Sequence, residues 1–157
     1  MAISANAEAI KGLVILMADG KSYSRSLLRS ILLQLGVKSI HDVGDGAAAL
    51  AAVRTISPDI VIVDWELPIL SGADVLRMIR ASKAFSNPNL PVIVISSSGQ
   101  IECVREANKL GVRHFLVRPI SPKTLEQRLV GIVKESRKSA LKRKYDIETL
   151  RQDAQPI

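Results

Sequence analysis

The segment that decides the fold is residues 59–68, DIVIVDWELP, in which four consecutive β-branched residues lead directly into Asp64. The turn signal at residues 57–59 precedes this run, and the run does not alternate between polar and apolar residues. Such a pattern is typical of a strand buried on both faces. A second run of this kind, Val92 to Ser96, follows Pro91. Two such strands predict a parallel sheet with helices packed on both of its faces.

Working outward from this strand, short apolar runs alternate with segments of helical periodicity. The predicted strands are Leu13 to Ala18, Ser39 to Val43, Ile60 to Asp64, Val92 to Ser96 and His114 to Val117. The predicted helices are Ser22 to Leu35, Ala47 to Ile56, Ser71 to Ser82, Ile101 to Leu110 and Pro122 to about Lys138. This alternation predicts a single α/β domain with a doubly wound, five-stranded parallel sheet and five flanking helices.

The composition argues against several classes of protein. The chain has 157 residues, 47% of them hydrophobic, which is enough for one core. No apolar run approaches the roughly 20 residues of a membrane span, and residues 1–10 lack the features of a signal peptide, so we expect a cytoplasmic protein. The only cysteine, Cys103, has no zinc-site spacing with His41 or His114. Without a catalytic histidine arrangement or a phosphate-binding glycine loop, we expect no enzymatic activity.

The net charge of +7 is concentrated near the carboxyl end of the chain. Residues 134–144 contain six basic residues and one acidic residue, and apolar residues become sparse after Lys138. We therefore expect residues 137–157 to form a basic extension, helical or disordered, and residues 1–11 to form a second extension. The basic segment is either a solvated helix end or a binding site for nucleic acid, an anionic membrane or an acidic protein. Because it lacks interleaved aromatic residues and a recognition helix, nucleic-acid binding is the weaker hypothesis.

Polar residues stand at the carboxyl ends of four predicted strands, which is the edge where doubly wound sheets bind ligands. They are Asp19 after the first strand, Asp64 at the end of the third, Ser96 at the end of the fourth and Arg118 after the fifth. Two carboxylates, a hydroxyl and a guanidinium suit a divalent cation together with a phosphoryl group. The alternative for Asp19 is a helix cap, and for Ser96 a loop or cap residue.

From Gly12 to Ser136 the chain resembles the receiver domains of bacterial response regulators. The resemblance rests on residues 59–68 followed by Ser71-Gly72, where an aspartate is followed four residues later by proline and then by glycine. Ser96, Phe115 and the Arg118-Pro119 pair match further positions of the family's pattern. The resemblance implies a flavodoxin-like fold with strand order 2-1-3-4-5, in which residues 12–136 are the receiver domain.

The resemblance also implies a role for each matched residue. These roles are Asp64 as phosphoacceptor, Ser96 and Phe115 as switch residues, Arg118 as the cation that contacts the phosphoryl group, and Pro119 as a proline after a cis peptide bond. A Mg²⁺ ion would be held by Asp19, Asp64 and Glu66, with Glu66 using its backbone carbonyl or its side chain.

Two departures from the family's pattern affect the site. The family's first strand ends in two adjacent acids, whereas this chain has Asp19 followed by Gly20, so the metal loses a carboxylate. The family's lysine is replaced by Arg118, whose planar fork needs more room than an ammonium group. In the absence of a phosphoryl group, we expect Arg118 to be able to pair with Asp64.

Three hypotheses for function follow. The leading one is a stand-alone response regulator that accepts a phosphoryl group on Asp64 from a histidine kinase or a phosphotransfer protein. It would then signal to a downstream protein partner through the surface formed by the fourth predicted helix, fifth strand and fifth helix. The alternative, motivated by Gly20 and Arg118, is an adaptor with a receiver fold that does not use phosphorylation. Nucleic-acid binding by the basic segment is the third, and the choice between monomer and dimer stays open.

Overall fold

A computed structural model describes residues 5–81 and 83–153 of the chain. Its strands are β1 (Val14–Ala18), β2 (Ser39–Val43), β3 (Ile60–Asp64), β4 (Val92–Ser96) and β5 (His114–Val117). Its helices are α1 (Ala5–Lys11), α2 (Ser22–Gln34), α3 (Gly46–Ile56), α4 (Gly72–Ala81), α5 (Ile101–Lys109) and α6 (Pro122–Asp153). The strands form one parallel sheet in the order β2-β1-β3-β4-β5, which confirms the predicted fold and strand order. The described residues contain six helices, one more than predicted.

Strand β3 lies at the centre of the sheet, hydrogen-bonded to β1 on one side and to β4 on the other. Every residue of β3 is buried, which explains why its sequence is a run of Ile and Val without polar alternation. In the register of the sheet, Val63 pairs with Ala18 of β1 and Asp64 pairs with Ile95 of β4. Because all the strands are parallel and end at similar levels, the residues that follow them meet at one edge.

The two faces of the sheet carry separate apolar clusters. On one face, β-strand residues such as Leu16, Val63 and Val94 pack against α3, α4 and α5. On the other face, Met17, Ile62 and other strand residues pack against α1, α2 and α6. Burying both faces in this way holds the carboxyl edge of the sheet in a fixed position relative to the helices that follow each strand.

Two regions differ from the sequence-based expectation. Helix α1 lies within the predicted extension of residues 1–11, and its Ile10 is buried in the same cluster as α2 and α6. Helix α6 continues to Asp153, well beyond the expected end near Lys138, so the described part of the basic extension is helical. The exposed side chains there include Leu141, at 68%. None of the helices in the described residues is long and apolar enough to cross a membrane.

Candidate functional site

The four polar residues predicted at the strand ends come together at the carboxyl edge of the sheet. Asp19 and Asp64 are almost fully buried, at 3% and 6% exposure, and Ser96 is completely buried. An open pocket of about 250 Å³ lies beside them. The pocket is lined by Gly20, Lys21, Asp64, Glu66, Pro68, Ser97 and Arg118. The edge therefore combines buried acids with a basic side chain and a solvent-accessible opening.

The loop after β3 is held tightly against Asp64. At its far end, Ser71 Oγ accepts a hydrogen bond from Asp74 N, and Asp74 Oδ2 accepts one from Ser71 N, a reciprocal arrangement that caps α4. The Gly72 N–H donates to the Trp65 carbonyl at 3.0 Å. A Cβ atom at Gly72 would lie 2.7 Å from the Asp64 carbonyl oxygen, so only glycine permits this close approach. The motif residues Ser71 and Gly72 thus hold the start of α4 close to the backbone of Asp64 and Trp65.

The Arg118 guanidinium links the two buried acids. Its Nη2 atom donates to Asp19 Oδ2 at 2.7 Å, and its Nη1 atom lies 3.5 Å from Asp64 Oδ1. Hydroxyl groups of Ser24 and Ser97 lie at 3.3 and 3.5 Å from the same group. The expected pairing with Asp64 is therefore the looser of two ion pairs. Asp19 is the closer partner because the long side chain of Arg118 extends from the end of β5 across the sheet edge to the end of β1.

The Glu66 side chain turns inward. Its Oε1 atom accepts a hydrogen bond from Ser96 Oγ at 2.7 Å and one from Ser97 N at 3.3 Å. Its backbone N–H donates to Asp64 Oδ1 at 3.0 Å. The residue therefore contacts both the predicted phosphoacceptor and the predicted switch hydroxyl, and it adds a third carboxylate to the pocket.

The surroundings shift the pKa values of these acids in different directions. Burial and the neighbouring Glu66 carboxyl raise the pKa of Asp64 to about 6, against the opposing effects of the Glu66 N–H and Arg118. Burial also disfavours ionisation of Asp19, but hydrogen bonds from Ser24 and Lys21 and the charge of Arg118 outweigh it and lower its pKa. The pKa of Glu66 is lowered as well, because contacts with Asp64 and Ser96 outweigh its desolvation. Asp64 is thus the acid that retains a proton to the highest pH.

Phe115, the other predicted switch residue, is not part of the pocket. It is half-buried against the cluster on the α3–α5 face of the sheet, and its ring centroid lies 6.2 Å from that of Trp65 with an interplanar angle of 59°. Trp65 packs on the same cluster. The Arg118–Pro119 peptide bond is cis, the conformation that the resemblance implies.

Sequence reasoning missed Lys21, Ser24, Ser97 and Pro68 as residues of the site. Lys21 and Ser24 lie at the start of α2, where the Lys21 N–H donates to Asp19 Oδ1 at 2.9 Å. Asp19 thus accepts a hydrogen bond from the residue just before α2, whereas the N-cap position of that helix is occupied by Lys21. A signal was available: the first turn of a helix that follows an acid-ended strand faces the same edge as that acid.

A doubly wound sheet with a buried phosphoacceptor-like aspartate and a basic side chain at its carboxyl edge defines a receiver-type signalling domain. The family model described as response regulator receiver domain matches residues 15–130. The chain therefore belongs to the response regulator receiver family, whose members act in two-component signalling.

Relatives and solved structures agree with this assignment. The chain is 32% identical to chemotaxis protein CheY-3 of Vibrio cholerae over 119 residues, covering 76% of this chain and 90% of that protein. The receiver domain of Francisella response regulator 1452 superposes with a TM-score of 0.71 at 26% identity, covering 80% of this chain and 99% of that one. The receiver domain of sensor histidine kinase PA1611 from Pseudomonas aeruginosa has the same fold, with a TM-score of 0.70 at 22% identity over 78% of this chain and 98% of that one. That domain was solved with magnesium coordinated in its active-site cleft.

In the part of the chain that the structure describes, the acidic side chains at this edge are engaged by other side chains. Among the residues that the structure describes, no group of three or more His, Cys, Asp or Glu side chains is arranged to hold a metal ion. Asp19 and Asp64 are bridged by Arg118, and Glu66 is engaged by Ser96. The predicted Mg²⁺ ligands are therefore close together, but their contacts are made within the chain.

Proposed function

We propose that this receiver domain accepts a phosphoryl group on Asp64 from a phosphohistidine of a histidine kinase or phosphotransfer protein. The observation that supports the proposal is the position of the Asp64 carboxyl in an open pocket beside Arg118, Ser97 and Lys21. A guanidinium and a hydroxyl are suitable partners for phosphoryl oxygens. The buried acid is thus the nucleophile, and its surroundings bind the anion.

The reaction is a transfer between two nucleophiles. A carboxylate oxygen of Asp64 attacks phosphorus, the bond from phosphorus to the donor imidazole nitrogen breaks, and its electron pair remains on that nitrogen. The product on Asp64 is a mixed anhydride of a carboxylic and a phosphoric acid. Catalysis of this kind depends on positioning and on electrostatic stabilisation of the transferred group. Since the pKa of Asp64 is raised to about 6, the reactive carboxylate becomes abundant only above that pH.

The output of the domain is expected at the surface formed by α5, β5 and α6. This surface exposes the apolar side chains of Ile101 on α5, 61% exposed, and Val117 on β5, 46% exposed. It adjoins the pocket through Ser96 and Arg118, since the Arg118 N–H donates to the Ser96 carbonyl. A rearrangement of Ser96 or Arg118 on phosphorylation therefore reaches this surface directly, and a downstream protein that binds there would detect it.

Acetyl phosphate and phosphoramidate provide the test. Incubation of the full chain with either donor, with and without Mg²⁺, should add the mass of one phosphoryl group by intact-mass spectrometry. Asp64→Asn should abolish the adduct, whereas Asp146→Asn, on the exposed part of α6, should not. Absence of any adduct with a large excess of both donors contradicts the proposal.

A second candidate function, an adaptor that does not use phosphorylation, is favoured by one specific observation. The Ser96 hydroxyl and Ser97 N–H already donate to the Glu66 carboxylate, so groups that would receive a phosphoryl oxygen are paired within the chain. Hydrogen exchange of α5, β5 and α6, measured with and without acetyl phosphate, separates the two functions. If the protein is an adaptor, the protection of these elements from exchange should be identical in both samples. If Asp64 is a phosphoacceptor, the protection should change with acetyl phosphate, and Asp64→Asn should remove that change.

A further inference from the structure

We infer that Arg118 is the resident cation of this pocket and holds the position between Asp19 and Asp64 that a divalent ion would need. The inference deepens the proposed function and rests on it in treating this pocket as the working site. It predicts a receiver in which one resident positive charge offsets part of the negative charge of the acidic site, so that the site has little affinity for Mg²⁺.

The first argument is electrostatic. Two carboxylates that are 3% and 6% exposed require compensation, because burying an unpaired charge costs several kcal/mol. Arg118 supplies part of it, mainly through the ion pair at 2.7 Å to Asp19 and more weakly through the contact at 3.5 Å to Asp64. An arginine stays protonated at every accessible pH, so this charge is permanent.

The second argument is steric and concerns Gly20. A Cβ atom at this position would lie 2.8 Å from Pro68 Cδ and 3.2 Å from Pro68 Cγ. The Pro68 carbonyl is fixed in turn by the N–H groups of Gly46 and Leu70. The Cβ atom of a second acid at residue 20 therefore has no space while Pro68 stays in place, and this position contributes no additional carboxylate.

The third argument is competition for the same oxygens. Mg²⁺ binds oxygen at about 2.0–2.1 Å in a near-octahedral shell and requires free carboxylate oxygens. Here Asp19 Oδ1 accepts from Lys21 N, Asp19 Oδ2 from Arg118, and Asp64 Oδ1 from Glu66 N and Arg118. A divalent ion that binds both Asp19 Oδ2 and Asp64 Oδ1 would have to displace the guanidinium and then remain beside it, which is electrostatically unfavourable.

The test uses Trp65, the only tryptophan, which directly follows Asp64. Paramagnetic Mn²⁺ bound to Asp64 should quench its fluorescence in a saturable manner, and Mg²⁺ should reverse the quenching. For the full wild-type chain we expect no saturable quenching and no increase in Tm with millimolar Mg²⁺. In Arg118→Ala the affinity for Mg²⁺ should rise by at least about tenfold, since a unit positive charge is removed a few ångströms from the ion. Ligand binding to the folded state should then raise Tm with Mg²⁺ concentration.

Two further variants keep the inference falsifiable. Arg113→Ala removes an arginine that is 75% exposed and pairs with Glu135, and it should gain no affinity for Mg²⁺. Arg118→Lys retains a positive charge in a smaller group, so its gain in affinity for Mg²⁺ should be smaller than that of Arg118→Ala. If the alanine variant does not fold, the lysine variant replaces it in the test. Saturable, Mg²⁺-reversible Mn²⁺ binding by the wild-type chain would overturn the inference, as would an unchanged affinity in the Arg118 variants.

The same samples distinguish this inference from the proposed function. If acetyl phosphate labels Asp64 equally with Mg²⁺ and with a chelator, both stand. If labelling occurs only with Mg²⁺, the phosphoacceptor function stands and the inference fails. If no labelling occurs and the wild-type chain binds no divalent ion, the inference stands and the phosphoacceptor function fails.

Discussion

The clearest perturbation of the site is Asp64→Asn, which should stabilise the folded protein at neutral pH. Burial and the Glu66 carboxyl raise the pKa of Asp64 to about 6 from an ordinary value of 3.8, so its ionised form costs free energy in the folded state. A shift of about two pH units corresponds to about 3 kcal/mol, at 1.36 kcal/mol per unit. Asparagine removes the charge and keeps an oxygen that can accept the Glu66 N–H.

The sign of this effect depends on pH. Between pH 3.8 and about 6, folded Asp64 binds more protons than unfolded Asp64, so its contribution to stability is present at low pH and is lost as the pH rises through this window. Asp64→Asn should therefore have little effect near pH 4 and approach a gain of about 3 kcal/mol near pH 8, an upper limit because Arg118 loses its weaker partner.

Urea unfolding at several pH values, followed by far-UV circular dichroism, measures this difference. The matched control is Asp146→Asn, the same substitution at an exposed side chain of α6. If Asp64→Asn is less stable than wild type near pH 8, or if its effect is the same at both ends of the range, the assignment of a costly buried carboxylate to Asp64 is refuted.

Three further predictions concern the surroundings of the pocket and α6. Ser24→Ala should raise the pKa of Asp19, because it removes a hydrogen bond to the ionised carboxylate. The folded protein should lose about 1 kcal/mol of stability above that pKa, and this loss should disappear as the pH falls. An NMR titration of Asp19 measures the change, and an unchanged pKa would contradict the prediction. Gly72→Ala should destabilise the protein by about 1–3 kcal/mol, because its Cβ would contact the Asp64 carbonyl at 2.7 Å. If the variant and the wild type have the same stability in urea, the loop after β3 rearranges to accommodate the methyl group and the prediction is wrong. Truncation after Ser139 should lower the helical circular dichroism signal but leave Tm within a few degrees of wild type, because the described side chains beyond it are exposed; a large drop in Tm would contradict this.

The sheet could be predicted from the sequence because its strands are buried on both faces and therefore appear as uninterrupted apolar runs. The bounds of β2, β3, β4 and β5 match the predicted ones, and β1 differs by one residue. Runs of Ile and Val between turn residues have few other interpretations in a chain of this length. The residues that follow such strands in a parallel sheet must meet at one edge, so the convergence of Asp19, Asp64 and Arg118 also followed from sequence.

The helices nearest the two ends of the chain were harder to predict from the sequence. Helix α1 has seven residues, too few for a clear period, and its Ile10 is buried only because α2 and α6 are nearby. Helix α6 was expected to end where its apolar residues thin out near Lys138. It continues because Leu, Lys, Arg and Glu favour helix and because extending an existing helix avoids the cost of a new nucleus.

The pairings inside the pocket were beyond sequence reasoning. Arg118 and Asp19 are separated by 99 positions, and Glu66 and Ser96 by 30. Their contacts depend on which rotamer each long side chain adopts, and on the steric closure between Gly20 and Pro68. Residue identity fixes the charges at the edge of the sheet, but only the three-dimensional arrangement shows which charges neutralise each other.

The uninterrupted course of α6 has a mechanical consequence. The helix packs on the sheet through residues such as Leu125 and Leu129 and then continues as a rod whose described side chains are exposed from Ala140 onward. At 1.5 Å per residue, the part from Ala140 to Asp153 extends about 20 Å. A tilt of about 10° at its base would move its far end by roughly 3 Å. A small change in the angle at which α6 packs on the sheet thus produces a larger displacement at the far end of the helix.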